Sequence, residues 1–151
     1  WYLRELYLNN RLIQPDALVV ADEPIDLRRI RQPLYAVAAE DDHIAPWAQT
    51  FHTLHHVAAD KRFVLSSSGH ILGIVNPPVT PPRRHYRVAT AHRADRAPLW
   101  RDRAELREGS WWEDWMAWLK PRAGELVPAR PAADERHPAL GDAPGTYVLE
   151  A

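Results

Sequence analysis

Between Pro33 and Pro78, two short apolar runs flank one amphipathic stretch, and this alternation restricts the chain more than any other feature. Leu34-Tyr35-Ala36-Val37-Ala38-Ala39 is an unbroken apolar run of strand length, the pattern of a strand buried on both faces. The chain then turns acidic at Glu40-Asp41-Asp42-His43. Pro46 suits the first turn of a helix. Trp47, Phe51, Leu54 and Ala58 follow at the spacing of one helical stripe. Lys61-Arg62 closes that helix, Phe63-Val64-Leu65 is a second strand, and Ser66-Ser67-Ser68-Gly69-His70 is a loop. A strand–helix–strand unit of this length predicts a parallel crossover and hence an α/β fold. Neighbouring parallel strands lie roughly 5 Å apart and end on one sheet edge, where ligands of open α/β sheets bind. Asp42 and His70 each follow such an end, so residues 28 positions apart in sequence are expected to meet in space.

The flanks carry weaker signals. Tyr2, Leu3, Leu6 and Tyr7 mark one apolar helical face that ends near Asn9-Asn10. Leu18 to Ala21 is strand-like, Asp22 to Pro24 reads as a turn, and Asp26 to Ile30 as a connector. From Val79 to Glu108 the charged, proline-containing sequence suggests a partly irregular surface segment. Ser110-x-x-Glu113 has capping-box spacing. Trp111, Trp112, Trp115, Trp118 and Leu119 then give a helix with an aromatic face, stopped by Pro121. Residues 121–151 hold five prolines and little periodicity.

Composition excludes several classes. There is no cysteine, so these residues offer no disulfide, no thiolate zinc ligand and no thiol nucleophile. Nineteen Lys and Arg against 20 Asp and Glu leave a net charge of −1, which argues against nucleic-acid binding through bulk charge. No apolar run approaches the length of a membrane span. The chain begins at Trp1 and its one methionine is Met116, so it reads as a piece of something longer.

Asp42 and His70 are the strongest chemical pair. A carboxylate that accepts from one imidazole nitrogen fixes the tautomer and frees the other nitrogen as a base. The competing reading makes Asp42 a helix cap and His70 an ordinary loop residue. No Gly-x-Ser-x-Gly or Gly-x-Cys-x-Gly elbow is present, and Ser66, Ser67 and Ser68 sit where they serve the turn's backbone. His52 and His56 have the i, i+4 spacing of zinc ligands, but no Glu or third ligand accompanies them, so a solvated helix face is expected. Arg83-Arg84-His85 is read as surface charge, with a phosphate such as that of coenzyme A as its alternative partner. The tryptophan face is read as packing surface.

Five segments resemble the poly(3-hydroxyalkanoate) synthases, the polyester polymerases of bacterial storage granules. They are Tyr2-Leu3-Arg4 through Leu12, Glu40 to Trp47, Ser68 to Pro78, Gly109 to Trp115 and Ala143 to Val148. The resemblance implies the C-terminal part of an α/β-hydrolase-type fold with a parallel sheet flanked by helices. Residues 1–120 would belong to the catalytic domain, with 1–31 as a cap or entry segment, 32–78 carrying the acid and histidine loops, and 79–120 the surface segment and tryptophan helix. Residues 121–151 would form a proline-rich tail.

It also implies a Cys-His-Asp acyltransferase acting on (R)-3-hydroxyacyl-CoA. Asp42 matches the family's catalytic acid and His70 its catalytic histidine, while the cysteine lies upstream of Trp1. No cofactor is implied beyond the CoA thioester substrate. The growing polyester, the granule surface and a second copy of the full-length enzyme are the implied partners, and the implied location is cytoplasmic, at the granule. Two other readings fit the residues: a fragment of a serine-dependent α/β-hydrolase (esterase or depolymerase), and a non-catalytic module binding a granule or partner.

Overall fold

The computed structural model describes residues 1–150. Six strands and three α-helices form in the order β1 (Leu18–Val20), β2 (Glu23–Ile25), β3 (Leu34–Ala39), α1 (Trp47–Thr53), β4 (Lys61–Ser66), β5 (His85–Ala91), α2 (Ala97–Arg103), β6 (Glu105–Glu108) and α3 (Trp111–Leu119). β1 and β2 make a separate antiparallel hairpin. Its two-residue turn is Ala21-Asp22, both at positive φ (50° and 65°), which matches the twist of a tight hairpin. The turn therefore falls earlier than the expected Asp22 to Pro24, and Glu23 to Ile25 pair as strand instead.

The main sheet has the order β3-β4-β5-β6. β3 and β4 run parallel, in register from Leu34 opposite Lys61 to Ala39 opposite Ser66. The crossover expected from sequence is thus present. The sheet is mixed rather than parallel throughout, because β5 and β6 are both antiparallel to their neighbours. β3 is an edge strand among the described residues, and only Ala38 and Ala39 in it are fully buried. That differs from the two-sided burial expected of its apolar run, since an edge strand is covered on one flank only.

Side-chain alternation along β4 sorts the core into two layers. Phe63 and Leu65 face α1 and α2 and pack with Phe51, Leu54 and Trp100. The Phe63 ring meets Phe51 at 5.0 Å and Trp100 at 4.9 Å, both edge to face, the favoured aromatic geometry. Val64 faces the other way, with Tyr86, Val88 and, from α3, Trp111. The result is an α/β/α sandwich.

Four expectations are corrected. Helix α1 stops at Thr53 and continues as a 3-10 turn over Leu54–His56. Val57 and Ala59 are buried while Ala58 is exposed, and Lys61-Arg62 opens β4 rather than closing the helix. Residues 85–108 are not irregular surface. They form β5, α2 and β6, and Trp100 is fully buried. The alternation Tyr86, Arg87, Val88 is that of a strand buried on one face, and its charges disguise it. The N-terminal helix is a π-helical turn over Leu3–Leu8 whose buried residue is Glu5, held by Arg4 and Arg11, whereas Leu3 and Tyr7 are exposed. An amphipathic face is buried only where another element covers it, and no described element covers this one. Residues 121–150 are exposed except for the half-buried Ala133.

Candidate active site

The parallel ladder continues beyond the strands and draws the two loops together. Glu40 N–H donates to Ser66 O at 2.8 Å, and Asp41 N–H to Ser68 O at 3.0 Å. Ser68 has φ +79°, which turns the chain sharply into Gly69-His70. Ser67 exchanges bonds with the start of β5, its N–H donating to His85 O at 3.0 Å and its Oγ accepting from His85 N–H at 3.2 Å. This serine serves the backbone, as its position suggested.

Asp42 and His70 meet. His70 Nδ1 lies 2.8 Å from Asp42 Oδ2. An ionised carboxylate only accepts, so Nδ1 is the donor in this contact, and in the neutral ring Nε2 keeps its lone pair. Asp42 Oδ1 meanwhile accepts from the backbone N–H groups of Ile44 (2.9 Å) and Ala45 (2.8 Å). One Asp42 oxygen thus ties the turn that leads to α1 and the other meets the imidazole; the helix itself starts after Pro46 with no side-chain cap, so Asp42 is not its N-cap. The carboxyl is held below the usual range, first by the Ala45 N–H, against some burial, and then by the His70 and Ile44 bonds. Its side chain is nearly enclosed, at 6% exposure, whereas the His70 side chain stands 46% open. A shallow groove lined by His43, Ile44, Ser68, Gly69, His70, Ile71 and Leu72 runs past the ring.

Three supports were not anticipated from sequence. Arg101 of α2 pairs with Glu40 at the root of the acidic loop. Gly73 sits so close to the end of β3 that a Cβ there would lie 2.6 Å from Ala39 Cβ and 2.9 Å from Gly69 O. Asp114 is the buried residue of α3. It accepts from Tyr35 Oη (2.9 Å), Arg62 Nε (2.7 Å) and Arg107 Nη1 (2.8 Å). Burial alone would raise the Asp114 carboxyl, but the Arg62 and Tyr35 hydrogen bonds outweigh it and hold the group below the usual range. A carboxylate three residues after Trp111 and four before Trp118 was the available signal, because those spacings put it on the packed face.

The remaining motifs separate from this site. The α-helix ends before His56, so His52 and His56 do not share the face their spacing implied. His52 stacks on His55 at 5.3 Å, and His55 Nε2 lies 3.0 Å from Asp95 O. Among the described residues no cluster of metal-ligating side chains occurs, and no helix is long and apolar enough to cross a membrane. Arg83 is exposed and Arg84 half-buried. The capping box is half made: Ser110 Oγ accepts from Trp112 N–H at 3.1 Å, and no returning bond from the Glu113 side chain occurs.

Fold and site together define an α/β protein with a carboxylate–imidazole pair at the carboxyl ends of two parallel strands. No family model matches the chain. It is 41% identical to poly(3-hydroxyalkanoate) polymerase 1 of Ectopseudomonas oleovorans over 149 residues, covering 98% of this chain and 26% of that protein. It is also 41% identical over 151 residues to the poly(3-hydroxyalkanoate) polymerase subunit PhaC of Cupriavidus necator, covering 98% of this chain and 25% of the relative. The PhaC subunit of Rhizobium etli is 36% identical over 151 residues, with 99% and 23% covered. Along nearly its whole length the chain is similar to poly(3-hydroxyalkanoate) polymerases, and it spans about a quarter of the length of the curated relatives it matches.

Proposed function

We propose that this chain is the part of a polyester-forming acyltransferase that supplies the general base and its orienting acid. The observation that carries the reading is the 2.8 Å contact between Asp42 and His70 at the ends of β3 and β4. The similarity to polymerases along nearly the whole chain supports it. In this reading residues 1–120 are the C-terminal portion of an α/β-hydrolase-like catalytic domain, and 121–151 its tail.

The nucleophile is a cysteine outside this sequence. His70 Nε2 takes the thiol proton, and the thiolate attacks the carbonyl carbon of (R)-3-hydroxyacyl-CoA. The carbon–sulfur bond to CoA breaks, and CoA leaves as a thiol with the proton returned by the imidazolium. The 3-hydroxyl of a further unit gives its proton to His70 Nε2 and attacks the enzyme-bound acyl carbon; the ester forms as the acyl–cysteine carbon–sulfur bond breaks, and the imidazolium returns the proton to the released cysteine sulfur. Throughout, Asp42 holds the ring in one tautomer and stabilises the imidazolium. The full-length protein acts as a homodimer at the surface of a cytoplasmic granule, with the growing polyester as its second ligand.

The test is CoA release from 3-hydroxybutyryl-CoA by the full-length polymerase. His70→Ala should abolish it, and Asp42→Asn should lower it by about 10²–10⁴-fold, the scale of positioned acid–base catalysis. Retained turnover in His70→Ala would overturn the assignment.

A further inference from the structure

The His70 turn is poorly supported by its own side chains. Gly73 N–H donates to Gly69 O (2.9 Å) and Val75 N–H to Ile71 O (2.8 Å), so residues 69–75 form one hydrogen-bonded unit. Within it Ile71, Leu72 and Val75 are all more than half exposed. Its fixed points lie at its far end, where the first turn of α3 meets it. The Trp111 indole Nε1–H donates to Gly73 O at 3.2 Å. Ser110 Oγ donates to the carbonyl of the buried Asn76. Gly73 is thereby held between Ala39 on one side and Trp111 on the other. Trp111 is itself fixed, for it packs with Val64, Tyr86 and Val88, and α3 is anchored three residues on through Asp114.

We infer that Trp111 is a positioning residue for His70, acting through the Gly73 carbonyl rather than by touching the reacting atoms. This deepens the acid–base reading above and rests on it. Asp42 has its own backbone donors, so the imidazole is the partner whose placement depends on a remote element. Loss of the indole N–H frees Gly73 O and lets the 69–75 unit rock about Gly69. The ring then spends less time aligned with Asp42, while His43, Ile44 and Ser68, which line the groove beside it, lie outside the moving unit. The consequence is a fall in kcat with little change in KM.

The experiment uses the full-length polymerase with Trp111→Phe, and with Trp111→β-(3-benzothienyl)alanine. The second variant keeps the bicyclic shape and replaces only the N–H by sulfur, so it folds where the phenylalanine variant leaves a gap. Rates of CoA release are counted per folded molecule. The isostere should lose about tenfold in kcat, as one ordinary hydrogen bond converts to rate, with KM for 3-hydroxybutyryl-CoA unchanged and the unfolding midpoint held. Trp112→Phe is the control, since its indole reaches Ile74 O only at 3.5 Å, and it should keep its kcat. Wild-type kcat in the isostere, or an equal loss in Trp112→Phe, overturns the inference. If His70→Ala itself stays active, the reading of His70 has failed instead, so the two failures are distinguishable.

Discussion

Two alanine substitutions four residues apart should have opposite outcomes. A Cβ on Gly73 would lie 2.6 Å from Ala39 Cβ, 2.9 Å from Gly69 O and 3.1 Å from Ser67 O. On Gly69 its nearest neighbour would be Asp41 O at 3.6 Å, an ordinary contact. Carbon atoms settle at about 3.5–4.0 Å, so Gly73→Ala must push the histidine turn away from β3 by about 1 Å. Overpacking of this kind costs about 1–3 kcal/mol, offset in part by the 0.4–1 kcal/mol that Gly→Ala gains through the unfolded chain. The larger effect is on rate. The displaced turn carries His70, and a misplacement of about 1 Å can cost on the order of 10²-fold. With His70 in the role proposed above, Gly73→Ala in the full-length protein should therefore lower the initial rate of CoA release by roughly two orders of magnitude, and Gly69→Ala by little. Equal rates in both variants, or a greater loss in Gly69→Ala, would refute the packing argument.

Other outcomes follow from the same geometry. Asp114→Ala should lower stability by about 2–3 kcal/mol in urea unfolding, as it leaves Arg62, Arg107 and Tyr35 without their shared acceptor. The value stays at that level because both guanidinium groups are partly hydrated, and a change under about 0.5 kcal/mol contradicts the anchoring role. In a carbon-13 titration the Asp26 carboxyl, bonded by Arg28, should titrate at about 2, and the Asp42 and Asp114 carboxyls below the ordinary value of about 3.9. Their folded values are depressed, so the stability they contribute is complete above about pH 4 and disappears as pH falls through each folded value. A midpoint for Asp42 at or above 3.9 would contradict its three hydrogen bonds. The 151 residues alone should release no CoA from 3-hydroxybutyryl-CoA, and measurable turnover would reveal a nucleophile among them.

Sequence reading succeeded for the elements whose stability is local or whose pattern is unambiguous. The apolar run of β3, the acidic loop, the start of α1 and the core of β4 together imply a parallel crossover, and the crossover brings Asp42 near His70. Strand spacing and a shared sheet edge are geometric necessities of that unit, so this contact was legible without coordinates. The helix of tryptophans was legible for the same reason. Its packed face was legible in part, since Trp111 and Trp118 lie against Tyr35 while Trp115 is exposed. The periodicity marked four tryptophans, yet the residue buried deepest in α3 is Asp114, because cations arrive from β4 and β6 that lie 52 and 7 positions away.

Long-range partners also decided the rest. Antiparallel β5 and the buried Trp100 lie in a stretch rich in charge, where one-sided strands resemble surface loops. The close approach of Gly73 to Ala39, the Trp111 bond to Gly73 O and the Glu40–Arg101 pair each join residues at least 34 positions apart. Local sequence encodes backbone preference and amphipathic period. It carries no record of which distant donor meets an acceptor, and that pairing sets how firmly the imidazole is held.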